Sequence, residues 1–558
     1  MSTFDVRAAG VPRRSGPGPL KLAAILGALV VAAACGDDAS YYDEGGYWYG
    51  DTGATDAGSS PGNFSEDVGG GGESDASAPP EDVFVPEEEE ELTTTPPTAS
   101  RRYVFIASPS SNIVAKIDSI TLAVTPIQVG REPSIVRTTP EGDYAVVLNE
   151  GSDTVSIIEA SADRDRVVSV DILDGCNRLE LSPSGTSAIA WYDNSAARVG
   201  DEIGSLQAIS VVDLAEGEAY TVSVGFRIRE IEFDAAGTRG FVVTDSGLNI
   251  VEFEALDGDV ALPTNDLGAD PLVDESDREV EVSQQGRYAL VRTSNLVGLR
   301  IVDLEGDAVQ EIELPVIPTD LDLTPDDALA IVALRGAGQI ALIPLAEAID
   351  DPEAVDFIDV EGVPSGIVTL SADGATALLH TSIDDDRRIA VLDLQRGRID
   401  QVIGLQKRVR VVATSPDALR ALVVHESEPG EPVPGEPLED FVAKSEGVSL
   451  LDLRSGYAKL VLLPVEPMDQ VFEPSGDAVW MMLGDRARDV RTIERLDLQT
   501  FARTTFTLDG LPESIGYVAD SGQIYVSQES ESGRLTFIDT TDGAVQHIAA
   551  YQLNAFIE

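Results

Sequence analysis

The chain has 558 residues, of which 98 are Asp or Glu and 38 are Lys or Arg, so its formal net charge is −60. Such an acidic surface repels phosphate backbones, which argues against nucleic acids as partners and favours cations or basic protein surfaces. Apolar residues make up 43% of the chain, which suffices for a packed core, while two cysteines and three histidines cannot build a disulfide framework or a cysteine-rich metal site.

Residues 1–34 have the pattern of an export signal. Four basic residues lie within the first 21, and the apolar segment LKLAAILGALVVAAA has the length of a signal-peptide core rather than of a bilayer span. Three alanines lead directly into Cys35. This arrangement resembles the lipobox of bacterial lipoproteins, which implies cleavage before Cys35, acylation of its thiol and a lipid anchor at the bacterial cell envelope, on the periplasmic side or the cell surface. An ordinary secretory signal, cut after an Ala-x-Ala site, is the alternative and would leave a soluble protein.

Residues 35–100 are predicted to form a disordered acidic tether. Gly, Ser, Pro and acidic residues dominate this segment, as in VGGGGES and PEEEEEL, and no Lys or Arg follows Cys35 before Arg101. A segment of this composition buries too little apolar surface to offset the entropy of ordering, and its like charges keep it extended. Its aromatic cluster YYDEGGYWYG, at 41–50, is either a contact for a membrane or protein surface or a solvated local patch.

Two short motifs alternate along residues 101–558. The first is a turn related to Ser/Thr-Pro-x-Gly, with copies that end at Gly142, Gly185, Gly237, Gly286, Asp327, Gly374, Ala418, Gly476 and Gly522. The second is a hydrophobic strand end with Asp, with copies at Asp118, Asp213, Asp303, Asp393, Asp452, Asp497 and Asp539. Proline suits the first corner of such a turn, and glycine suits the position that needs a positive φ. Their shared period of about 40 to 60 residues is typical of a four-stranded propeller blade with variable loops.

The stretches YVFIASPSSNIVAKID (103–118) and AVVLNEGSDTVSIIE (145–159) resemble the YVTN family of β-propellers, which occurs in surface-layer and lactonase-like proteins. The domain opens with three strands, and nine sets of four follow. The final YQLNAFIE is expected to supply the missing strand and to close the ring without an open edge. We therefore predict an all-β propeller of about ten four-stranded blades, either in one large ring or in two smaller propellers in tandem.

Most of the long insertions are predicted to emerge on one face of the propeller. Successive connections in a blade alternate between the two ends of its strands, so connections from the second to the third strand and from one blade to the next share a face. Three insertions fall there, at 193–207, 261–277 and 425–446, whereas the one that begins at Leu345 falls on the opposite face. Such elaboration indicates either a binding surface or tolerated variation in exposed loops.

The innermost strands of four consecutive blades carry acids at matching positions. These acids are Glu180, Glu230, Glu232, Glu279, Glu281, Asp320 and Asp322, with Arg178, Arg229 and Arg278 as expected counter-charges. Residues two apart on a strand point to the same side, so an acidic wall along the central channel is expected. Converging carboxylates can hold a hard cation such as Ca²⁺, and they can equally be salt-bridged groups between blades or solvated channel walls.

The sequence thus predicts an envelope-anchored lipoprotein β-propeller that serves as a protein- or ligand-binding or assembly module without catalysis of its own. Its expected partner is an envelope protein or a surface ligand. The sequence contains no Gly-rich phosphate loop, G-x-S-x-G elbow or metal-binding His pair. Two alternatives remain open, namely a lactonase-like hydrolase, which the family resemblance implies, and calcium-dependent adhesion through the acidic residues.

Overall fold

The computed structural model describes residues 98–551 except 140, 141, 143, 199–201, 268–277, 294–295, 307, 361, 384 and 531. The predicted export signal, the anchor at Cys35 and the tether up to residue 97 lie outside the described residues, as do residues 552–558. No helix in the described part of the chain is long and apolar enough to cross a membrane.

The described residues form ten small sheets, antiparallel except for one short strand, which confirms the predicted number of blades. Blades 1 to 5 contain β1 (Tyr103–Ser108), β2 (Ile113–Asp118), β3 (Val124–Gln128); β4 (Pro133–Thr138), β5 (Tyr144–Asn149), β6 (Thr154–Glu159), β7 (Arg166–Asp171); β8 (Arg178–Leu181), β9 (Ser187–Trp191), β10 (Ala208–Asp213), β11 (Glu218–Ser223); β12 (Ile228–Phe233), β13 (Arg239–Thr244), β14 (Gly247–Glu252), β15 (Val260–Ala261); β16 (Arg278–Val282), β17 (Tyr288–Thr293), β18 (Leu299–Asp303) and β19 (Val309–Ile312).

Blades 6 to 10 each contain four strands. They are β20 (Asp320–Leu323), β21 (Leu329–Leu334), β22 (Gln339–Pro344), β23 (Asp356–Asp359); β24 (Ile367–Leu370), β25 (Thr376–His380), β26 (Arg388–Asp393), β27 (Arg398–Gly404); β28 (Val409–Thr414), β29 (Arg420–His425), β30 (Glu446–Asp452), β31 (Tyr457–Leu463); β32 (Asp469–Phe472), β33 (Ala478–Asp485), β34 (Val490–Asp497), β35 (Arg503–Thr507); β36 (Pro512–Val518), β37 (Gln523–Gln528), β38 (Arg534–Asp539) and β39 (Val545–Ala549). Helix α1 (Leu345–Ala348) follows β22, and helix α2 (Leu438–Lys444) lies between β29 and β30.

The turn motif found in the sequence joins the first and second strands of the blades. Gly237 adopts φ +64°, and a Cβ added there would lie 2.4 Å from the backbone nitrogen of Ser184 in the preceding blade. Asp327 and Ala418 hold the same place in their blades and also have positive φ, 56° and 57°. The motif therefore recurs because this turn needs a left-handed residue, whichever side chain the position carries.

The ten blades close into one ring. Ten clusters of buried apolar side chains hold the blades together, and each cluster joins two neighbouring blades. One of them joins the last blade to the first, since Phe537 and Val518 of blade 10 pack with Val104 and Ile117 of blade 1. Two propellers in tandem would not share such a cluster between their chain ends, so the structure selects the single ring.

The place of the missing strand in blade 1 is taken by residues directly before β1. Ala99 pairs with Val104, and Phe105 N donates to Thr98 O at 2.9 Å. The prediction that YQLNAFIE fills this place falls almost entirely on residues 552–558, which lie outside the described residues, and the part of β1 next to the turn is paired by Thr98 and Ala99 instead. A tight turn, with Ser100 N donating to the carbonyl of Tyr103 at 2.9 Å, folds the preceding residues straight back onto β1. Closing so short a loop restricts the chain less than recruiting its far end.

Blade 4 departs from the regular pattern at its outer edge. Its β15 pairs in parallel with β11 of blade 3, and the chain then returns to blade 4, where Asn265 pairs with Leu248 of β14. The start of the insertion at 261–277 therefore ties blades 3 and 4 together at the periphery.

Candidate functional site

The predicted acids lie on the innermost strands of blades 3 to 6, and we call the seven of them the acidic seam. They are Glu180 on β8, Glu230 and Glu232 on β12, Glu279 and Glu281 on β16, and Asp320 and Asp322 on β20. Side chains of a strand point to the two faces of its sheet, and in this ring those faces pack against neighbouring blades. Glu230 and Glu232 share a face with Val243 and Phe241 of β13, which pack against blade 5. These two acids thus point into the junction between blades, whereas the sequence predicted a wall along the channel.

Three acids of the seam bind the backbone of the next blade. Glu232 Oε2 accepts from Val282 N at 3.2 Å, Glu281 Oε1 from Leu323 N at 3.2 Å, and Asp320 Oδ2 from Val368 N at 2.7 Å. Each of these nitrogens belongs to the innermost strand of the following blade. The carboxylates therefore join blades 4 to 5, 5 to 6 and 6 to 7 through acceptors for buried backbone donors.

Burial makes these carboxyl groups hard to ionise. Burial, and then the charge of Glu230, raises the pKa of Glu232 well above its ordinary value. Burial, and then Asp322 together with other acids of the seam, does the same to the pKa of Glu281. Burial and a neighbouring carboxylate raise the pKa of Asp320 to about 7. These groups therefore hold protons at pH values where exposed carboxyl groups have lost theirs.

Two arginines that the sequence reasoning missed pair with exposed acids of the seam. Arg137 Nη2 on β4 lies 3.0 Å from Glu180 Oε1, and Arg292 Nε on β17 donates to Glu279 Oε2 at 2.7 Å. Both acids are more than one-third exposed. The seam therefore has paired acids, Glu180 and Glu279, beside buried ones.

The arginines predicted as counter-charges make other contacts. Arg178 Nε lies 3.2 Å from Asp193 Oδ2, Arg229 pairs with Asp245, and Arg278 Nη2 donates to Thr244 O at 2.7 Å. These partners lie at the ends of second strands or just beyond them, so the three arginines fix strand ends in their own or a neighbouring blade. Sequence position alone cannot distinguish these partners from the acids two residues along the same strand.

The described residues contain no group of three or more His, Cys, Asp or Glu side chains close enough to hold a metal ion. In the seam one oxygen each of Glu232, Glu281 and Asp320 is occupied by a backbone donor. Calcium binding by the seam stays a prediction.

Two of the three histidines and Cys176 are buried, whereas His547 is exposed on β39. His380 is 2% exposed, and burial lowers its pKa to about 3. His425 is bound through both ring nitrogens, to Arg408 O at 2.8 Å and to Ser449 Oγ at 2.7 Å, and burial lowers its pKa to about 4. Cys176 packs in the core between blades 2 and 3, where burial raises the pKa of its thiol to about 12. The three buried groups are structural.

The strand order confirms that the three long insertions share one face of the ring. Residues 193–207 connect β9 to β10, residues 425–446 connect β29 to β30, and residues 261–277 lead from blade 4 to blade 5. All are connections of the two kinds that emerge at the same end of the blades. We call this end the insertion face. Helix α1 lies on the connection from β22 to β23 and so belongs to the opposite face.

The insertion face carries exposed apolar side chains, a feature that the sequence reasoning missed. Sixteen large hydrophobic side chains of the described residues are exposed, and seven of them lie on outermost strands, where one sheet edge meets solvent. Eight lie on connections of the insertion face, namely Ile203, Phe226, Leu296, Val297, Ile383, Val433, Leu438 and Met468. The opposite face has one, Ile120. Apolar side chains concentrated on one face of a protein are typical of an interaction surface.

Comparison with known proteins gives no family for this chain. No protein-family model and no curated protein matches it. Among solved structures it is similar to dihydro-heme d1 dehydrogenase NirN in complex with DHE, with 14% identity, 74% of this chain and 76% of that chain covered, and a TM-score of 0.39. It is also similar to a eukaryotic initiation factor, with 11% identity, coverage of 73% and 97%, and a TM-score of 0.49. Hydrazine synthase of Kuenenia stuttgartiensis matches with 16% identity, coverage of 56% and 97%, and a TM-score of 0.26. Likeness of this degree assigns no activity, and the fold rests on the ten sheets of the chain itself.

Proposed function

We propose that this protein is a ten-bladed propeller, tethered to the bacterial envelope, that binds a protein partner through its insertion face. The observation that carries the proposal is the distribution of exposed apolar side chains, eight on the connections of the insertion face and one on those of the opposite face. Solvent disfavours such side chains, and a partner that covers them gains their burial.

Charge supports a basic partner. The insertion at 425–446 contains seven acids and a single lysine, Lys444, and the whole chain has a net charge of −60. Opposite charge on a partner speeds encounter and selects against acidic competitors, while apolar contacts supply affinity. A protein surface with apolar side chains among Lys and Arg is therefore the kind of partner that fits.

The proposed anchor is the acylated Cys35, followed by the acidic tether. Replacing Cys35 with Ala removes the acyl attachment point, so the protein should leave the membrane fraction of the producing cells. Unchanged fractionation of the Cys35→Ala protein would contradict lipid anchoring and would leave the binding proposal in place.

The binding proposal is tested with photo-crosslinking amino acids placed one at a time at exposed apolar positions. Ile203 and Phe226 report on the insertion face, and Ile120 on the opposite face serves as the matched control. We expect both insertion-face positions to crosslink, in the producing cells, to the same protein at a site rich in Lys and Arg. Equal crosslinking from Ile120, or no crosslink from either insertion-face position, would contradict the proposal.

The two alternatives make separate demands. Calcium-dependent adhesion requires binding heat when Ca²⁺ is titrated into the protein, and that heat must vanish in the Glu232→Gln, Glu281→Gln variant. A lactonase-like hydrolase requires turnover of lactones or related esters by the purified protein. His380 and His425 are buried, and His547, on the outermost strand of blade 10, is bound to Thr536, so the three histidines form no common acid–base site. We therefore propose the binding module.

A further inference from the structure

One insertion combines exposed apolar side chains with an unusually well-fixed backbone. It comprises residues 426–445, between β29 and β30, and we call it the blade-8 insertion. It contains helix α2, and its two most exposed large apolar side chains are Leu438, 76% exposed, and Val433, 57% exposed. Neither side chain belongs to the clusters of buried apolar residues around blade 8, so neither contributes to the packing that holds the ring together.

A buried lysine fixes the end of the helix. Lys407, on the connection from blade 7 to blade 8, is 2% exposed and donates to Val442 O and Ala443 O, each at 2.8 Å. These carbonyls lie in the last turn of α2, where backbone acceptors have no partner within the helix. The ammonium group thus satisfies them and holds the helix against the ring.

Further contacts close the insertion at its base. Glu428 N donates to Ala443 O at 2.9 Å, so the two arms of the insertion are joined. Lys444 Nζ lies 2.7 Å from Glu436 Oε2, and Arg488 of blade 9 pairs with Glu431. A segment held in this way loses little conformational entropy when a partner binds it, which favours affinity.

A groove of about 370 Å³ runs beside the insertion, between it and blade 9. Its lining includes Glu428, Glu431, Glu446, Pro432, Pro464 and Arg488. Arg488 is paired with Glu431, and Lys444, which also lines the groove, is paired with Glu436 outside it. Three carboxylates and two cations thus give the lining a net charge of one negative. Glu439 and Asp440 are exposed in the first turn of α2, next to Leu438. Along the chain, carboxylates therefore precede and follow the two apolar side chains.

We infer that the blade-8 insertion is the docking element of the insertion face, and that its occupant is a basic protein segment with apolar residues between its Lys or Arg side chains. This inference rests on the proposed function and names the place and the partner chemistry. The apolar residues of the segment cover Val433 and Leu438, and its cationic side chains lie against the carboxylates of the groove and of the first turn of α2. Charge complementarity selects this occupant over an acidic one.

The test uses three labelled synthetic peptides of equal length with the full-length chain. The Lys/Leu peptide alternates Lys and Leu residues. The Lys/Ser peptide has Ser in place of each Leu, and the Glu/Leu peptide has Glu in place of each Lys. We expect the Lys/Leu peptide to bind at least about tenfold more tightly than the Lys/Ser peptide, since burial of Leu and Val side chains against each other supplies affinity that Ser cannot. The Glu/Leu peptide should not bind. Equal binding of the Lys/Leu and Lys/Ser peptides overturns the inference.

Variants locate the site. Val433→Ser with Leu438→Ser should weaken binding of the Lys/Leu peptide about tenfold. Val402→Ser with Val545→Ser is the matched control, because both valines are 43% exposed on outermost strands, and it should leave binding unchanged. Both pairs are exposed, so neither substitution opens a cavity. An equal loss in the two variants overturns the inference, as does no loss in the first.

Hydrogen exchange with the Lys/Leu peptide separates this inference from the proposed function. On addition of the peptide, the backbone amides of residues 426–445 should exchange more slowly than in the free protein. Protection confined to the connections around Ile203 and Phe226 overturns the inference while it supports binding by the insertion face. Protection confined to the opposite face overturns both.

Discussion

The innermost strands of blades 4 to 6 and those of blades 2 and 8 bind their neighbours through different side chains. In blades 4 to 6 a carboxylate accepts a backbone N–H of the following blade. In blades 2 and 8 a threonine hydroxyl donates to a backbone carbonyl of the preceding blade, from Thr138 to Ala99 O at 2.9 Å and from Thr414 to Leu370 O at 3.0 Å. Both arrangements satisfy backbone groups at strand edges that their own sheet leaves unpaired.

The difference is one of ionisation. A threonine hydroxyl stays neutral at any pH in the working range of a protein, whereas a buried carboxyl among other acids changes its charge with pH. The ring therefore has an acidic arc, from blade 4 to blade 7, whose carboxyl groups respond to pH, and two separate threonine junctions, between blades 1 and 2 and between blades 7 and 8, whose hydroxyl bonds do not. Because the chain carries many other acids, the acidic arc and the threonine junctions must be compared through matched substitutions.

The largest effect should be a loss of stability of the acidic arc as pH rises. Raised pKa values mean that the folded state binds more protons than the unfolded state between about pH 4 and the folded pKa, which is about 7 for Asp320. The free energy of unfolding should therefore be highest near pH 4 and should fall by a few kcal/mol by pH 8, at about 1.4 kcal/mol for each unit of pKa shift. Urea titrations at closely spaced pH values measure this pH dependence of the free energy of unfolding.

Neutral variants isolate the contribution of the seam. The triple variant Glu232→Gln, Glu281→Gln, Asp320→Asn keeps an acceptor for each backbone N–H and removes the ionisable groups, so its unfolding free energy should vary much less with pH. The control triple variant, Glu216→Gln, Glu305→Gln, Glu353→Gln, neutralises exposed acids and should retain the pH dependence of the parent. A steep dependence in the seam variant would show that the general charge of the chain, not the seam, is responsible.

The next effect is the loss of a single acceptor. At pH 5 Asp320 is protonated, and Asp320→Ala leaves the Val368 N–H without its partner, which should lower the unfolding free energy by about 1 to 3 kcal/mol. Asp320→Asn keeps the acceptor oxygen and should stay within about 0.5 kcal/mol of the parent at that pH. Equal destabilisation by Ala and Asn in urea titrations would mean that the hydrogen bond between blades is not what Asp320 contributes.

The architecture was predictable because its signals are local. Repeated turns, such as those ending at Gly237 and Ala418, require a left-handed residue at a fixed place, and the strand ends between them follow at a regular distance. The number of blades follows from counting these signals. The pairing of Thr98 and Ala99 with β1 was not predicted, because it depends on a short turn. That turn, from Ser100 to Tyr103, is two residues shorter than the corresponding turns of other blades, such as the one from Ser182 to Ser187.

The acids were located from the sequence, but their contacts were not. Partners such as Arg137 and Glu180 are 43 residues apart and meet because neighbouring blades pack face to face. The exposure of Leu438 was hidden as well, since an apolar residue in an insertion looks the same in sequence whether it is buried or not. Local sequence patterns therefore determine where the strands lie, whereas contacts between blades determine which side chains are paired, buried or exposed.

A smaller effect is expected at the threonine junction between blades 7 and 8. Thr414→Val keeps the shape of the side chain and removes the bond to Leu370 O, which should lower the unfolding free energy by about 1 kcal/mol. The loss should be the same at pH 5 and pH 8, since no ionisable group is involved. Thr414→Ser keeps the hydroxyl and serves as the control. A loss that grows with pH would contradict the distinction between the acidic arc and the threonine junctions.

The smallest effect should come from the paired end of the acidic seam. Glu180 is 39% exposed and lies 3.0 Å from Arg137, so the pair is screened by solvent, and Glu180→Gln should change the unfolding free energy by less than about 1 kcal/mol. The change should shrink further when the NaCl concentration rises from about 50 mM to about 500 mM, because salt screens exposed charges. A double-mutant cycle with Arg137→Gln gives the coupling between the two side chains. If Glu180→Gln proves as costly as Asp320→Ala and insensitive to salt, Glu180 belongs with the buried acids, and burial rather than pairing governs the whole seam.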